Sequence, residues 1–384
     1  VFEGIRVKRT RYIAGAVAVA AVLFLLFERA SVLSVSARSS APKNLYLLEA
    51  VIRLIQKDYL EEKDPVRTMD GSFKGLVNSL DSYSGYLNRE SSARFLSQKD
   101  TQPNDPGIIF YKSYGAFPLV VGLVENSPAE KVGLKIGDLI TEINGLATPA
   151  MCWAEVAVYL RDLEEKPAAL KILRGDQTLD FSVERIFLSP EPYRFSAQAG
   201  TAGILSIVRL SAPCVSNVKA KLAPSLQKSG KALILDLRNC HAGEFEQARE
   251  LVNLFLKADA IGYIEKKAEA KEVLPSLEEP ALPKIPLVVW VNRGTMGPAE
   301  AAAAVLQNFK RAKIIGFPML GLAAENEFFP LEDGTGVLLT SGVFCLNSGA
   351  KLWGRVTEPD IKLDEANSGL DSYLKKTRSL VSLP

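Results

Sequence analysis

Apolar residues along the chain change their spacing several times, and each change marks a new kind of element. Tyr12–Phe27 (YIAGAVAVAAVLFLLF) carries no charge. As a helix it reaches ~24 Å, slightly short of a ~30 Å hydrocarbon core, and snorkelling by Arg11 and Arg29 covers the difference. Residues 38–44 read as a linker. Leu45–Tyr59 then places Leu47, Leu48, Val51, Ile52, Leu54 and Ile55 at a helical period, and Met69–Leu80 does the same with Phe73, Leu76, Val77 and Leu80. A polar turn region, Asp81–Leu87, follows. From about Asn104 the spacing becomes strand-like: Leu119–Glu125, Leu139–Asn144, Ala169–Arg174 and Thr178–Arg185, the last two joined across Gly175-Asp176. Ser127 with Pro128 and Glu130 marks a helix start, and Gly133 its C-terminal glycine. Ala154–Leu163 reads as a further helix.

In the second half, strands Gly203–Val208 and Ala232–Leu237 flank a helical segment near Val215–Gln227, a βαβ pattern. Phe245–Leu256 is the next helix. Lys266–Pro283, charged and proline-containing, reads as an exposed excursion. An apolar strand, Ile285–Val291, then runs into the turn Gly294-Thr295-Met296-Gly297-Pro298-Ala299-Glu300 and a helix starting near Pro298. Strand, tight turn, helix is where α/β enzymes place a nucleophile, because helix-start N–H groups face a developing oxyanion. Yet Val291–Asn326 contains no Ser, Cys or His, and Thr295 carries its only hydroxyl. Glu327–Pro330, the Asp333-Gly334 turn, Val337–Ser341 and Thr357–Ile361 complete the core, and Asp371–Leu380 reads as a final helix.

Charge and rare residues narrow the chemistry. A net charge of +2 with no basic, aromatic-interleaved stripe gives no expectation of nucleic-acid binding. His241 is the only histidine, and Cys152, Cys214, Cys240 and Cys345 match no zinc spacing, so neither a metal site nor a cofactor is expected. Buried or unpaired thiols are the simple reading of the cysteines, and one disulfide stays open outside the cytoplasm. Cys240 beside His241 suggests a cysteine nucleophile, but adjacent residues in an extended segment point apart. Arg6, Lys8, Arg9 and Arg11 hold the N-terminus in the cytoplasm. The expected location is the inner (cytoplasmic) membrane, single-pass, with a periplasmic or other extracytoplasmic body. A signal peptide cleaved after Val35-Ser36-Ala37 is the competing reading, and it also exports the body.

Asn126–Gly145 (NSPAEKVGLKIGDLITEING) resembles a PDZ domain over that family's most diagnostic stretch. The resemblance implies binding of a peptide's carboxyl end as a strand added to a sheet edge. The carboxylate loop would be Gly107-Ile108-Ile109-Phe110, in which Ile109 replaces the family's second glycine. Ile109 still offers its N–H but disfavours positive φ and crowds the approach.

From about Leu45 to Leu363 the order of elements resembles the carboxy-terminal processing (tail-specific) peptidases. LILDLRN (Leu233–Asn239), the turn after Val291 and EPDI (Glu358–Ile361) fall in family order. The implied fold is an α/β, crotonase/ClpP-like core with an inserted PDZ-like β-rich domain and an N-terminal transmembrane helix. Its domains would be a stub and anchor over 1–37, a linker and helical segment over 38–103, the PDZ-like domain over 104–186, the core over 187–365 and a helical tail over 366–384. The family works through a serine and a neutral lysine, with two backbone N–H groups on the oxyanion. Carried over from Gly294 and Glu300, the serine position falls on Gly297, the lysine on Leu322 and a family glutamine on Asn326. The oxyanion donor after the nucleophile falls on Pro298, which has no N–H. The other donor turn becomes His241-Ala242-Gly243, leaving Ala242 and Gly243 as a residual oxyanion turn. The expectation is a pseudopeptidase that binds protein or peptide C-termini as a scaffold, adaptor or complex subunit. Its competitors are an active serine-type endopeptidase, a Thr295-based enzyme, a small-ligand cleft, and a structural subunit that binds no peptide.

Overall fold

The computed structural model describes residues 43–61, 64–99, 101, 103–164, 166–187, 192–198, 202–212, 214–220, 232–268, 270–276, 279–282, 284–364 and 369–380. Tyr12–Phe27 and the possible cleavage site lie outside these. Among the described residues no helix is long and apolar enough to cross a membrane. The chain forms two compact units, residues 1–69 and 70–384. In the first, Lys43–Asp58 is helical, with an Arg53–Glu49 ion pair one turn apart.

Helix Pro65–Asn78 and strand β1 (Gly85–Leu87) precede helix Arg89–Lys99. That last helix has little apolar periodicity, which is why the sequence pattern does not reveal it. It starts where the Asn88 side chain accepts from the Ser91 N–H.

The PDZ-like part is a sheet ordered β2-β3-β4-β6-β7, with β5 paired to β4. These strands are β2 (Ile108–Tyr111), β3 (Leu119–Leu123), β4 (Leu139–Ile143), β5 (Leu146–Ala147), β6 (Ala168–Arg174) and β7 (Gln177–Val183). The helix after β3 spans Pro128–Lys131, and the Ser127 hydroxyl caps it by accepting from the Glu130 N–H. Helix Trp153–Leu160 covers the sheet and stops three residues earlier than its spacing predicts. Arg161 turns extended there and binds Asp105 at 2.6 Å.

The core is a sheet ordered β17-β14-β13-β10-β9-β8. Its strands are β8 (Tyr193–Gln198), β9 (Ala202–Ile207), β10 (Leu233–Asp236), β13 (Leu287–Val291), β14 (Lys313–Gly316) and β17 (Ile361–Lys362). All pairs are parallel except β8 with β9. A parallel sheet is buried on both faces, and its side chains alternate accordingly. Leu287, Val289 and Val291 join the cluster under helices Phe245–Asn253 and Pro298–Asn308. Val288 and Trp290 face Tyr373 of the C-terminal helix Leu370–Leu380.

The second core sheet is antiparallel, ordered β1-β16-β11-β12, with β15 also paired to β16. It contains β11 (Gly262–Lys266), β12 (Glu272–Leu274), β15 (Ala324–Pro330) and β16 (Gly336–Leu346). Strand β12 lies inside Lys266–Pro283, so that stretch is not simply an excursion. It folds back because Tyr263 pairs with Val273 and Ile264 with Glu272. Strand β16 extends well past the expected Val337–Ser341, because three neighbouring strands pair along it.

Tyr373 docks the C-terminal helix: it is 1% exposed, and its hydroxyl donates to the Val291 carbonyl at 2.8 Å. The Trp290 indole N–H reaches Thr377 Oγ1 at 2.9 Å. Tyr373→Ala is expected to lower unfolding free energy by about 3–5 kcal/mol and Tyr373→Phe by about 1–2 kcal/mol. Urea titration checks both, and equal losses would mean that the ring contributes nothing.

Candidate active site

The turn between β13 and helix Pro298–Asn308 is held by side chains from two adjacent strand ends. The Asn292 side-chain oxygen accepts from the Asn239 and Gly294 N–H groups at 2.9 and 3.0 Å. Its amide nitrogen donates to Asn239 Oδ1 at 2.8 Å. Asn239 Nδ2 then reaches across to the carbonyl of Leu123 in β3 at 3.1 Å. Two close approaches leave room for this clasp. A Cβ on Gly122 would lie 2.3 Å from Asn239 Oδ1, and one on Gly294 would lie 2.7 Å from it.

Thr295, the lone hydroxyl, is fully buried. It donates to the Leu237 carbonyl at 2.8 Å and accepts from the Asn292 N–H at 3.0 Å. Its proton is committed to the scaffold, which speaks against the Thr295-based enzyme. Cys240 and His241 do not form a nucleophile pair either. Burial pushes the fully buried Cys240 thiol far above its usual range, and His241 Nδ1 bonds the Asn239 carbonyl at 3.0 Å. Burial also lowers the His241 pKa.

Gly297, the position carried over for the serine, opens the helix with φ 58° and ψ −124°. Glycine reaches this region freely, whereas an L side chain there is strained. It matches the strained strand-to-helix turn on which α/β hydrolases mount a nucleophile. A Cβ built on Gly297 would have only the Leu322 carbonyl near it, at 3.9 Å. Positions 297 and 322, carried over for the serine and lysine, are thus neighbours in space. Pro298 is the first helical residue. Asn326 is exposed, beside an irregularity in β15. Ala242 accepts from the Leu210 N–H at 2.9 Å, and Gly243 packs against the Leu210 backbone.

Sequence reasoning missed what holds position 322. Glu300, wholly buried, accepts from the Gly321 N–H at 3.0 Å and the Leu322 N–H at 2.9 Å. Burial raises its pKa to about 7, against the lowering effect of those two amides and Thr357. The pairing signal was present only as an acidic residue in the first helical turn, which favours the helix start on its own.

Leu322, Met296, Ile109 and Val121 form one buried cluster, with Tyr83 and Trp353 packed on it. Ile108 and Phe110 point the other way, into the PDZ-like core. The expected carboxylate loop is therefore apolar on both sides. Gly107 takes φ 84°, and its N–H donates to Asp105 Oδ1 at 2.7 Å. Strand β2 ends its sheet and carries Ile108, Ile109 and Phe110.

Fold and site together define a PDZ-bearing α/β chain with a peptidase-type strand–turn–helix. Comparison with known proteins agrees: residues 202–363 match peptidase family S41 and residues 119–174 match a PDZ domain. Over these stretches the chain is similar to the C-terminal processing peptidases of family S41 and to a PDZ domain. It is 28% identical over 370 residues to the carboxy-terminal processing protease CtpA of Bacillus subtilis, covering 96% of this chain and 79% of that one. A "Probable CtpA-like serine protease" of Staphylococcus aureus is 24% identical, over 84% of this chain and 65% of its own length. The photosystem II D1 C-terminal processing protease shares the fold, with TM-score 0.68 at 19% identity, over 85% of this chain and 90% of that one.

Glu300 generates a pH dependence. It binds a proton more tightly folded than unfolded, so its stabilisation is full below about pH 4.5 and is lost as pH rises to about 7. The loss is on the order of 3 kcal/mol. Urea titrations across this window should show the decline in the natural chain and a flatter profile in Glu300→Gln. Parallel profiles would refute the assignment.

Proposed function

We propose that this chain is a pseudopeptidase of its family, one that binds protein or peptide C-termini as a scaffold, adaptor or complex subunit without cutting them. The observation that carries the reading is Gly297 facing the Leu322 backbone, where the family chemistry calls for a serine and a lysine. Pro298 adds to it, since the residue after the nucleophile has no N–H to give. The committed Thr295 hydroxyl adds to it again. Losing a hydrolytic nucleophile costs about six orders of magnitude in rate, and one oxyanion donor about two to three, without simple additivity. The PDZ domain supplies the binding half of the proposal, through β2, the terminal strand of its sheet. An active peptidase is the second reading, favoured by relatives whose names call them proteases.

One experiment separates these readings. Incubated with a polypeptide ending in apolar residues, the protein should bind in the micromolar range, about −8 kcal/mol. It should leave the polypeptide intact, and amidating the terminus should weaken binding. Turnover that survives Thr295→Ala and stops with a serine-directed reagent would overturn the pseudopeptidase. Equal binding of free and amidated peptides would overturn the carboxylate loop. No binding at all would favour a structural subunit.

The proposed location follows from Tyr12–Phe27 and the basic residues before it: a single-pass anchor in the inner membrane, with the body outside the cytoplasm. The protein should stay with membranes after a salt wash and be digested by protease added from the extracytoplasmic side. A soluble chain beginning near Arg38 would instead establish cleavage.

A further inference from the structure

Two of the four cysteines lie against one stretch of chain. The Cys214 thiol donates to the Pro192 carbonyl at 3.7 Å, and that carbonyl also accepts from the Val208 N–H at 3.0 Å. The Cys240 thiol meets the backbone of Leu210. Val208 and Leu210 are two residues apart, at most about 7 Å however the chain runs. Their stretch is pinned to the turn that carries Cys240. The Leu210 N–H donates to the Ala242 carbonyl at 2.9 Å, and Leu210 pairs in parallel with Gly243. A Cβ on Gly243 would lie 2.5 Å from the Leu210 Cβ. The turn is held on its far side too, where the Cys240 carbonyl accepts from the Met296 N–H at 3.0 Å.

Both cysteines are fully buried and belong to the same apolar cluster. After burial itself, Cys214 is the strongest influence on the Cys240 thiol. The other two cysteines face different chemistry: Cys152 meets Glu155 and Lys74, and Cys345 meets Tyr263, Glu265 and Lys351. A single buried thiol is a small apolar filler. Two that converge from adjacent segments have a reaction open to them as well.

We infer that Cys214 and Cys240 are partners in a disulfide, which ties the chain after β9 to the turn after β10 that carries Ala242 and Gly243. The oxidant is a small-molecule or protein disulfide. One cysteine thiolate attacks a sulfur of the oxidant and expels the other sulfur as a thiolate. The second cysteine thiolate attacks the mixed disulfide and expels the remaining half. Two cysteine thiols are thereby oxidised, one disulfide is reduced to two thiols, and the two cysteine protons end on those thiols. Burial decides when this happens. It raises the Cys214 thiol to about 11 and the Cys240 thiol further, so neither is a nucleophile in the closed fold. The exchange belongs to folding or to local opening, and the closed fold then shields the bridge from reductant. The bridge is a staple rather than a switch, and it stands whether or not the peptidase site is active.

The test reduces the full chain in detergent, then incubates it with glutathione disulfide in urea just below its unfolding midpoint, where segments open locally. Free thiols are blocked with N-ethylmaleimide, and a tryptic digest is read by mass spectrometry. Cleavage after Arg209, Lys219, Arg238 and Arg249 places the two cysteines on peptides 210–219 and 239–249. These peptides should be recovered as one disulfide-linked species, with Cys152 and Cys345 carrying the blocking group. The linked form should melt about 5 °C above the reduced one, and Cys214→Ala should lose both the link and this gain. Four blocked cysteines would overturn the inference and leave the pair as apolar filling. A link through Cys152 or Cys345 in place of this one would also overturn it. So would a linked form that melts no higher than the reduced chain, or a gain that persists in Cys214→Ala.

Discussion

The arrangement around the turn depends on one interaction, the two-asparagine clasp of Asn239 and Asn292. Strands β10 and β13 are parallel neighbours, so their carboxyl ends lie side by side and deliver Asn239 and Asn292 to the same place. Each side chain meets groups that the other strand end would otherwise leave unpaired. Asn239 adopts φ 61°, a region asparagine tolerates better than most residues. Its second amide hydrogen goes to the Leu123 carbonyl, which joins the turn to the PDZ-like sheet. The close approaches at Gly122 and Gly294 follow, because a methyl group at either would collide with the clasp. Thr295 belongs to the same network, which is why its hydroxyl is structural.

Beyond the turn, electrostatics is decided by a buried carboxyl group held mainly by backbone amides. Glu300 receives two N–H groups and the Thr357 side chain, and no cation appears among the causes of its shift. Two amide donors recover part of the desolvation penalty and leave the rest as a raised pKa. The carboxylate acts on the loop around Leu322 as a two-point anchor. Tyr83 feels the same charge, which together with burial raises its phenol pKa. The proposed loss of a lysine at 322 is compatible with this arrangement, because the anchor grips the backbone and is indifferent to the side chain.

Much of the fold was legible where local chemistry and spacing agree. The Ser127-Pro128 cap, the turn glycine Gly133 (φ 87°) and the all-apolar β13 each have a mechanism visible within a few residues. Elements defined by distant partners were not legible. Strand β8 exists by pairing with β9, and β12 by pairing with β11, while their own sequences carry charge and short runs. At the site, the lack of Ser, Cys and His across Val291–Asn326 could be read directly. The clasp could not, since Asn239 and Asn292 lie 53 residues apart. The packing of the Ala242-Gly243 turn could not be read either, since its partner, Leu210, which donates its N–H to the Ala242 carbonyl, is distant in sequence.

Ile109 shows how one substitution acquires a different meaning in three dimensions. By sequence it stands in place of a carboxylate-loop glycine and obstructs a ligand. Successive residues of a strand face opposite ways, so Ile108 and Phe110 fill the PDZ-like core while Ile109 reaches Met296 and Leu322. The same strand therefore serves two apolar clusters. A glycine at 109 would leave Met296, Leu322 and Val121 without a neighbour that buries about 2–3 kcal/mol of apolar side chain. The departure from the PDZ pattern at Ile109 and the leucine at 322 are then physically linked. An apolar residue at 322 needs an apolar lid, and β2 supplies one only if its third loop residue has a side chain to offer.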